Sequence, residues 1–211
     1  MTPAGSLLAA EGLHKAFGQT AALDGVDFSI HPGEVVAVMG PSGSGKSTLL
    51  HCLAGIVLPD SGTVRYGDHE VTGMNDAQRS ALRRADFGFV FQFGQLVPEL
   101  TCLENVALPL RLNGVKRKEA QRHAREWLER LEVEDTARAL AARPRVIFAD
   151  EPTGALDSLN GERVMTLLTD AARDTNAAVV LVTHEARVAA YSDREVVVRD
   201  GKVKDMLAGL I

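Results

Sequence analysis

The sequence predicts an α/β domain on a buried parallel sheet, with an N-terminal antiparallel β subdomain and an inserted helical subdomain. Three observations predict it. The apolar runs Glu34–Met39, Val146–Ala149 and Ala177–Val182 have the pattern of strands covered on both faces. Strand-like and helix-like stretches alternate along most of the chain. From Thr101 to Leu131 the pattern turns wholly helical, as an insertion would.

Taken in order, the N-terminal third is strand-rich. One strand ends near Phe17, a second covers Asp24–Ile30, and a third, Glu34–Met39, runs into a glycine-rich loop and a helix starting near Lys46. Gly62–Tyr66 and His69–Val71 read as a hairpin around Gly67-Asp68, and Asp86–Phe91 as a further strand. Asn113-Gly114 breaks the helical stretch in two, and the charged segment Arg117–Arg130 fits a solvated helix face. Near the end, Glu195–Arg199 and Lys202–Lys204 flank Asp200-Gly201, a strong hairpin signal. The expected division is a core with its β subdomain over 1–91 and 137–211, and a helical subdomain over 92–136.

A chain of 211 residues holds one α/β domain with a small insertion and is too short for two full domains. A net charge of −5 argues against nucleic-acid binding as the main role. No apolar run approaches the ~20 residues of a membrane helix, and the segment Met1–Ser6 lacks signal-peptide features. Cys52 and Cys102 show no metal-ligand spacing and no disulfide framework, so each is expected to be a small apolar filler. A reducing compartment is expected, with any membrane association made through a partner.

The strongest chemical signal is Gly40-Pro41-Ser42-Gly43-Ser44-Gly45-Lys46-Ser47-Thr48, which satisfies G-x-x-x-x-G-K-[ST]. Glycines let the backbone wrap closely on phosphate, and successive N–H groups point inward at anionic oxygens. The following helix adds its positive N-terminal end. Lys46 is placed to neutralise the β- and γ-phosphates, and the Ser47 hydroxyl to ligate Mg²⁺. The second signal is Val146-Ile147-Phe148-Ala149-Asp150-Glu151. A strand that ends in two acids puts both at the carboxyl edge of the sheet, beside the phosphate loop. Asp150 would orient Mg²⁺ through its water shell, and Glu151 would polarise or deprotonate the attacking water.

The phosphate loop, Gln92 after a strand, Asp150-Glu151-Pro152-Thr153, Ala155-Leu156-Asp157 and Thr183-His184 occur in an order that resembles the ATP-binding cassette ATPases. The resemblance covers nearly the whole chain and implies a P-loop nucleotide-binding fold. It implies that Phe17 stacks on adenine, although an aromatic there also serves simply as core. By the same likeness Gln92 senses Mg²⁺ and the attacking water, Asp157 lies in a loop that communicates across a dimer, and His184 contacts the γ-phosphate. The segments Glu104–Leu110 and Ala149–Ser158 are similar to the class serving lipoprotein release, macrolide export and the cell-division permease.

One element of the resemblance is missing. The family carries Leu-Ser-Gly-Gly-Gln shortly before the strand with the acidic pair, yet here Glu132–Thr136 runs directly into Ala137–Pro144. Three accounts stand: a segment omitted with the numbering closed over it, a deletion, or a degenerate cassette that works beside a different one. A helix over Thr136–Ala142 would span only about 10 Å, against ~17–20 Å for the strand it flanks. That favours the first account, which predicts a step far beyond the ~3.8 Å between adjacent Cα atoms somewhere in Asp135–Arg138.

The resemblance implies an ATP-hydrolysing subunit using ATP and Mg²⁺, pairing with a second cassette and a separate integral-membrane permease. It would sit in the cytoplasm, peripheral on the inner face of the cell membrane. The alternative is a non-hydrolysing or regulatory ATP-binding subunit, suggested by the missing segment.

Overall fold

The computed structural model describes residues 5–92, 96–130, 134–154, 156 and 158–206. Two sheets organise them. The first is antiparallel, in the order β2-β1-β4-β5, with β1 (Leu8–Phe17), β2 (Thr20–Ile30), β4 (Ser61–Tyr66) and β5 (His69–Glu70). The register from Leu8↔Ile30 to Phe17↔Thr20 leaves Gly18 as part of a tight reversal, and its φ of 61° suits glycine.

The second sheet has six strands in the order β10-β9-β3-β8-β7-β6. They are β3 (Val35–Met39), β6 (Phe87–Phe91), β7 (Val146–Asp150), β8 (Ala178–Val182), β9 (Arg194–Arg199) and β10 (Lys202–Met206). All neighbours pair in parallel except β9 with β10, the antiparallel hairpin around Asp200-Gly201. Side chains of β7 alternate between two cores, as a period of two requires. Val146 and Phe148 pack with Leu8, Leu49, Leu53 and Val180, while Ile147 and Ala149 pack with Val90, Trp127, Leu140 and Met165. Burying the sheet on both faces explains the continuous apolar runs.

The helices are α1 (Lys46–Leu53), α2 (Asp76–Asp86), α3 (Cys102–Leu112), α4 (Arg117–Arg130), α5 (Glu134–Ala141), α6 (Ser158–Thr175) and α7 (Ala186–Ala189). Helix α3 starts from a capping box in which Thr101 accepts from the Glu104 N–H and Glu104 reaches back to the Thr101 N–H. It ends at Asn113-Gly114, with Gly114 at φ 84°. That is the expected break.

The structure corrects two sequence expectations. The hairpin strand expected over His69–Val71 stops at Glu70, because Val71 opens a 3-10 turn. The strand expected from Asp86 starts at Phe87, because Asp86 closes α2. Helix α2 itself was not anticipated, though Asn75 and Gln78 form a capping box that marks its start. Helix α5 runs from Glu134 to Ala141. Eight residues reach only about 12 Å, and the chain makes up the remainder outside the helix. Arg143 turns at φ 53°, and the Arg145 N–H bonds the Asp86 carbonyl at 2.8 Å to enter β7.

Candidate functional site

The site forms where three parallel strands end. The phosphate loop leaves β3, the acidic pair ends β7, and Thr183-His184 follows β8, which lies between them. Ligand sites of open α/β sheets gather at this carboxyl edge. Here the result is a cavity of about 640 Å³. Its walls come from Pro41, Ser42, Gly43, Lys46 and Ser47 on one side and Asp150, Glu151 and His184 on another, with Phe91 and Gln92 at the end of β6.

Lys46 is buried, and its Nζ donates to the Gly40 and Pro41 carbonyls at 2.9 Å each. The loop's own backbone holds the ammonium where an incoming anion would otherwise have to order it. The Ser47 hydroxyl donates to Asp150 Oδ1 at 3.2 Å. Burial holds the Asp150 carboxyl above its ordinary range, against the opposing bond from Ser47. Among the described residues, no cluster of three or more His, Cys, Asp or Glu converges on a metal position. The hard oxygens of Ser47 and Asp150 nevertheless suit Mg²⁺, which commonly takes one or two protein ligands and fills the rest with phosphate and water.

Glu151 has a left-handed backbone, φ 49°, fixed by its N–H bonding Val182 at 2.9 Å and its carbonyl accepting from Gly154 at 3.0 Å. Such a conformation costs a side-chain-bearing residue on the order of 1 kcal/mol. Its Oε1 lies 2.8 Å from His184 Nδ1, while Oε2 is buried without a hydrogen-bond partner. Gln92 closes over the turn after the acids: a Cβ on Gly154 would lie 2.7 Å from its Nε2.

Not every expected residue lines the cavity. Ser42, Gly43, Lys46, Ser47, Gln92, Asp150, Glu151 and His184 do. Gly40, Ser44, Gly45 and Thr48 shape the loop and helix start without lining it. A Cβ on Gly40 would strike the Val198 carbonyl, and one on Gly45 the Ala22 carbonyl. Phe17 is 54% exposed, outside the cavity lining, with Lys15 Nζ 5.5 Å from its ring centre. Asp157 lies outside the described residues. Two lining residues escaped the sequence reading, His51 and Phe91. His51 follows Ser47 by one helical turn on α1, and that spacing was the available signal.

The family model for the ABC transporter matches residues 23–137, more than half of the chain. The lipoprotein-releasing system ATP-binding protein LolD of Cytophaga hutchinsonii is 40% identical, covering 93% of this chain and 98% of that protein. LolD 2 of Caulobacter vibrioides is 39% identical, covering 94% and 96%. The first of these alignments runs over 215 positions, longer than the whole 211-residue chain, so the relative carries residues absent here. Among solved structures, the dimeric bacterial ABC transporter cassette MJ0796 is 35% identical with a TM-score of 0.89, covering 96% of this chain and all of that one. A dimeric post-hydrolysis state of MJ0796, bound to ADP and Pi, matches at 34% identity and a TM-score of 0.87. The phosphate loop, the acidic pair and the six-stranded sheet are thus accounted for together: the chain belongs to the ABC transporter family, as an ATP-binding and ATP-hydrolysing cassette.

Proposed function

We propose that this cassette hydrolyses MgATP to drive a separate membrane permease of the lipoprotein-releasing kind. The observation that carries the chemistry is the convergence of Lys46, Ser47, Asp150, Glu151 and His184 on one cavity. Lys46 neutralises charge on the phosphate chain. Ser47 ligates Mg²⁺ and Asp150 holds its water shell, with Gln92 near both. Bound Mg²⁺ supplies charge neutralisation at the phosphate oxygens. Glu151 polarises the attacking water, and His184, which holds that carboxylate through Oε1, reaches the γ-phosphate. Phe17 stacks on the base, and Asp157 signals to a second cassette. The division into a core over 1–91 and 137–211 and a helical part over 92–136 belongs to the same reading.

No helix among the described residues is long and apolar enough to cross a membrane. In this reading the cassette docks on the permease at the inner face of the cell membrane, and the names of the LolD relatives support that placement. A second groove, of about 480 Å³, offers the surface. Ile56, Phe89, Leu108 and Leu112 make it apolar, and Arg83, Arg84 and Arg138 stand along it. This combination suits a short amphipathic permease helix with an acidic end. The names of the LolD relatives support lipoproteins as the cargo, and the dimeric MJ0796 structures support pairing of two cassettes.

The test compares ATP binding and phosphate release in Glu151→Gln and Lys46→Ala. Glu151→Gln should keep ATP bound without turnover, because the amide preserves the contact and loses the basicity. Lys46→Ala should lose binding. Unchanged turnover in both would refute the assignment.

A further inference from the structure

The front of the phosphate loop faces the cavity, and its back rests on two backbones. Behind Gly40 stands the Val198 carbonyl of β9, and a Cβ there would strike it as well as lie 2.8 Å from Ser44 Oγ. At Ser44 the loop carbonyl accepts from the Gly201 N–H at 3.2 Å. Gly201 then passes the connection on, because its own carbonyl accepts from the Asp24 N–H of β2 at 2.8 Å. Lys202 adds an ion pair to Asp24 at 3.3 Å, and the other oxygen of that carboxylate lies 3.4 Å from His14 Nδ1 on β1. The β9–β10 turn is therefore bonded to the phosphate loop on one side and to the antiparallel sheet on the other.

The two sides do different work. The loop holds phosphates, whereas β1, paired to β2 from Leu8↔Ile30 to Phe17↔Thr20, carries Phe17. We infer that Gly201 is a positioning residue: its two backbone bonds set the distance between the base side and the phosphate side of the nucleotide site. This rests on the proposed stacking role of Phe17. Only glycine suits the position. Its φ is 71°, and a Cβ would sit 3.1 Å from the Ala22 carbonyl oxygen and 3.3 Å from the Asp24 nitrogen. A methyl group there pushes β2 away from the loop by a few tenths of an ångström. A ligand that spans both sides senses that shift, and one that fills the loop alone does not.

The experiment titrates MgATP and magnesium tripolyphosphate calorimetrically into the wild-type chain, Gly201→Ala and Phe17→Ala. Gly201→Ala should weaken MgATP by about tenfold while tripolyphosphate changes by less than about twofold. Equal losses for both ligands, or none, would overturn the inference. Phe17→Ala separates the underlying reading: if it loses ATP affinity while Gly201→Ala does not, stacking stands and the positioning role falls. If Phe17→Ala loses nothing, the base-side reading fails and takes the inference with it. Should Gly201→Ala not fold, amide exchange on the wild type decides. The Gly201 and Asp24 amides should gain at least about fivefold more protection from MgATP than from tripolyphosphate, and equal protection would refute the role.

Discussion

His184 Nδ1 and Glu151 Oε1 lie 2.8 Å apart although 33 positions separate them in sequence. The carboxylate has only acceptors, so the ring N–H donates to Oε1, while Oε2 is buried without a hydrogen-bond partner. His184→Ala frees a carboxylate that already sits on a left-handed backbone. The expected result is a fall in single-turnover phosphate release of about 10²–10³-fold, with ATP affinity changed by less than about threefold. Loss of affinity as large as the loss of rate would instead assign His184 to ground-state binding.

Asp150 connects pH to stability. Burial raises its pKa in the folded chain above the ordinary 3.8. Between those two values the folded state binds more protons than the unfolded one, so stability falls as pH rises through that window and stays lowered above it. Asp150→Asn removes the half-buried charge. Its unfolding midpoint without nucleotide or metal should rise at pH 7 by ~2 °C, and the gain should vanish below pH 4. Phosphate release should be lost at either pH.

Gly88 tests how α5 is seated. A Cβ on this residue would strike the Ala139 carbonyl of α5 and approach Pro144 Cγ to 2.9 Å. Helix and edge strand touch through backbone there. Gly88→Ala should destabilise the fold by about 2–3 kcal/mol through overpacking, read as an earlier midpoint in urea with an unchanged slope.

Cys52 is buried on α1, and burial pushes its thiol up to about 11. Thiolate is the reactive form. In the native protein at pH 8, Cys52 should resist alkylation over hours and react within minutes in denaturant, as peptide mapping by mass spectrometry would register. Rapid native labelling would mean that α1 opens locally.

What lay within a few residues of sequence was legible. The glycine-rich loop Gly40–Thr48 is one contiguous run and the two acids follow their strand directly, so neighbouring residues carried both signals. Apolar runs revealed β3, β7 and β8 because strands covered on both faces need no alternation. How α5 leads into β7 was not legible, because the turn at Arg143 and the Arg145–Asp86 bond depend on residues far apart in sequence.

From the sequence alone came the kind of fold, the glycine-rich loop after β3 and the acidic pair that ends β7. Tertiary structure alone decided that β8 lies between β3 and β7, that Glu151 meets His184, and that His51 and Phe91 join the cavity while Phe17 stands outside its lining. The physical reason is range. Propensity, turn chemistry and loop motifs act over a few neighbouring residues, whereas strand order and side-chain convergence follow from burying both faces of one sheet at once.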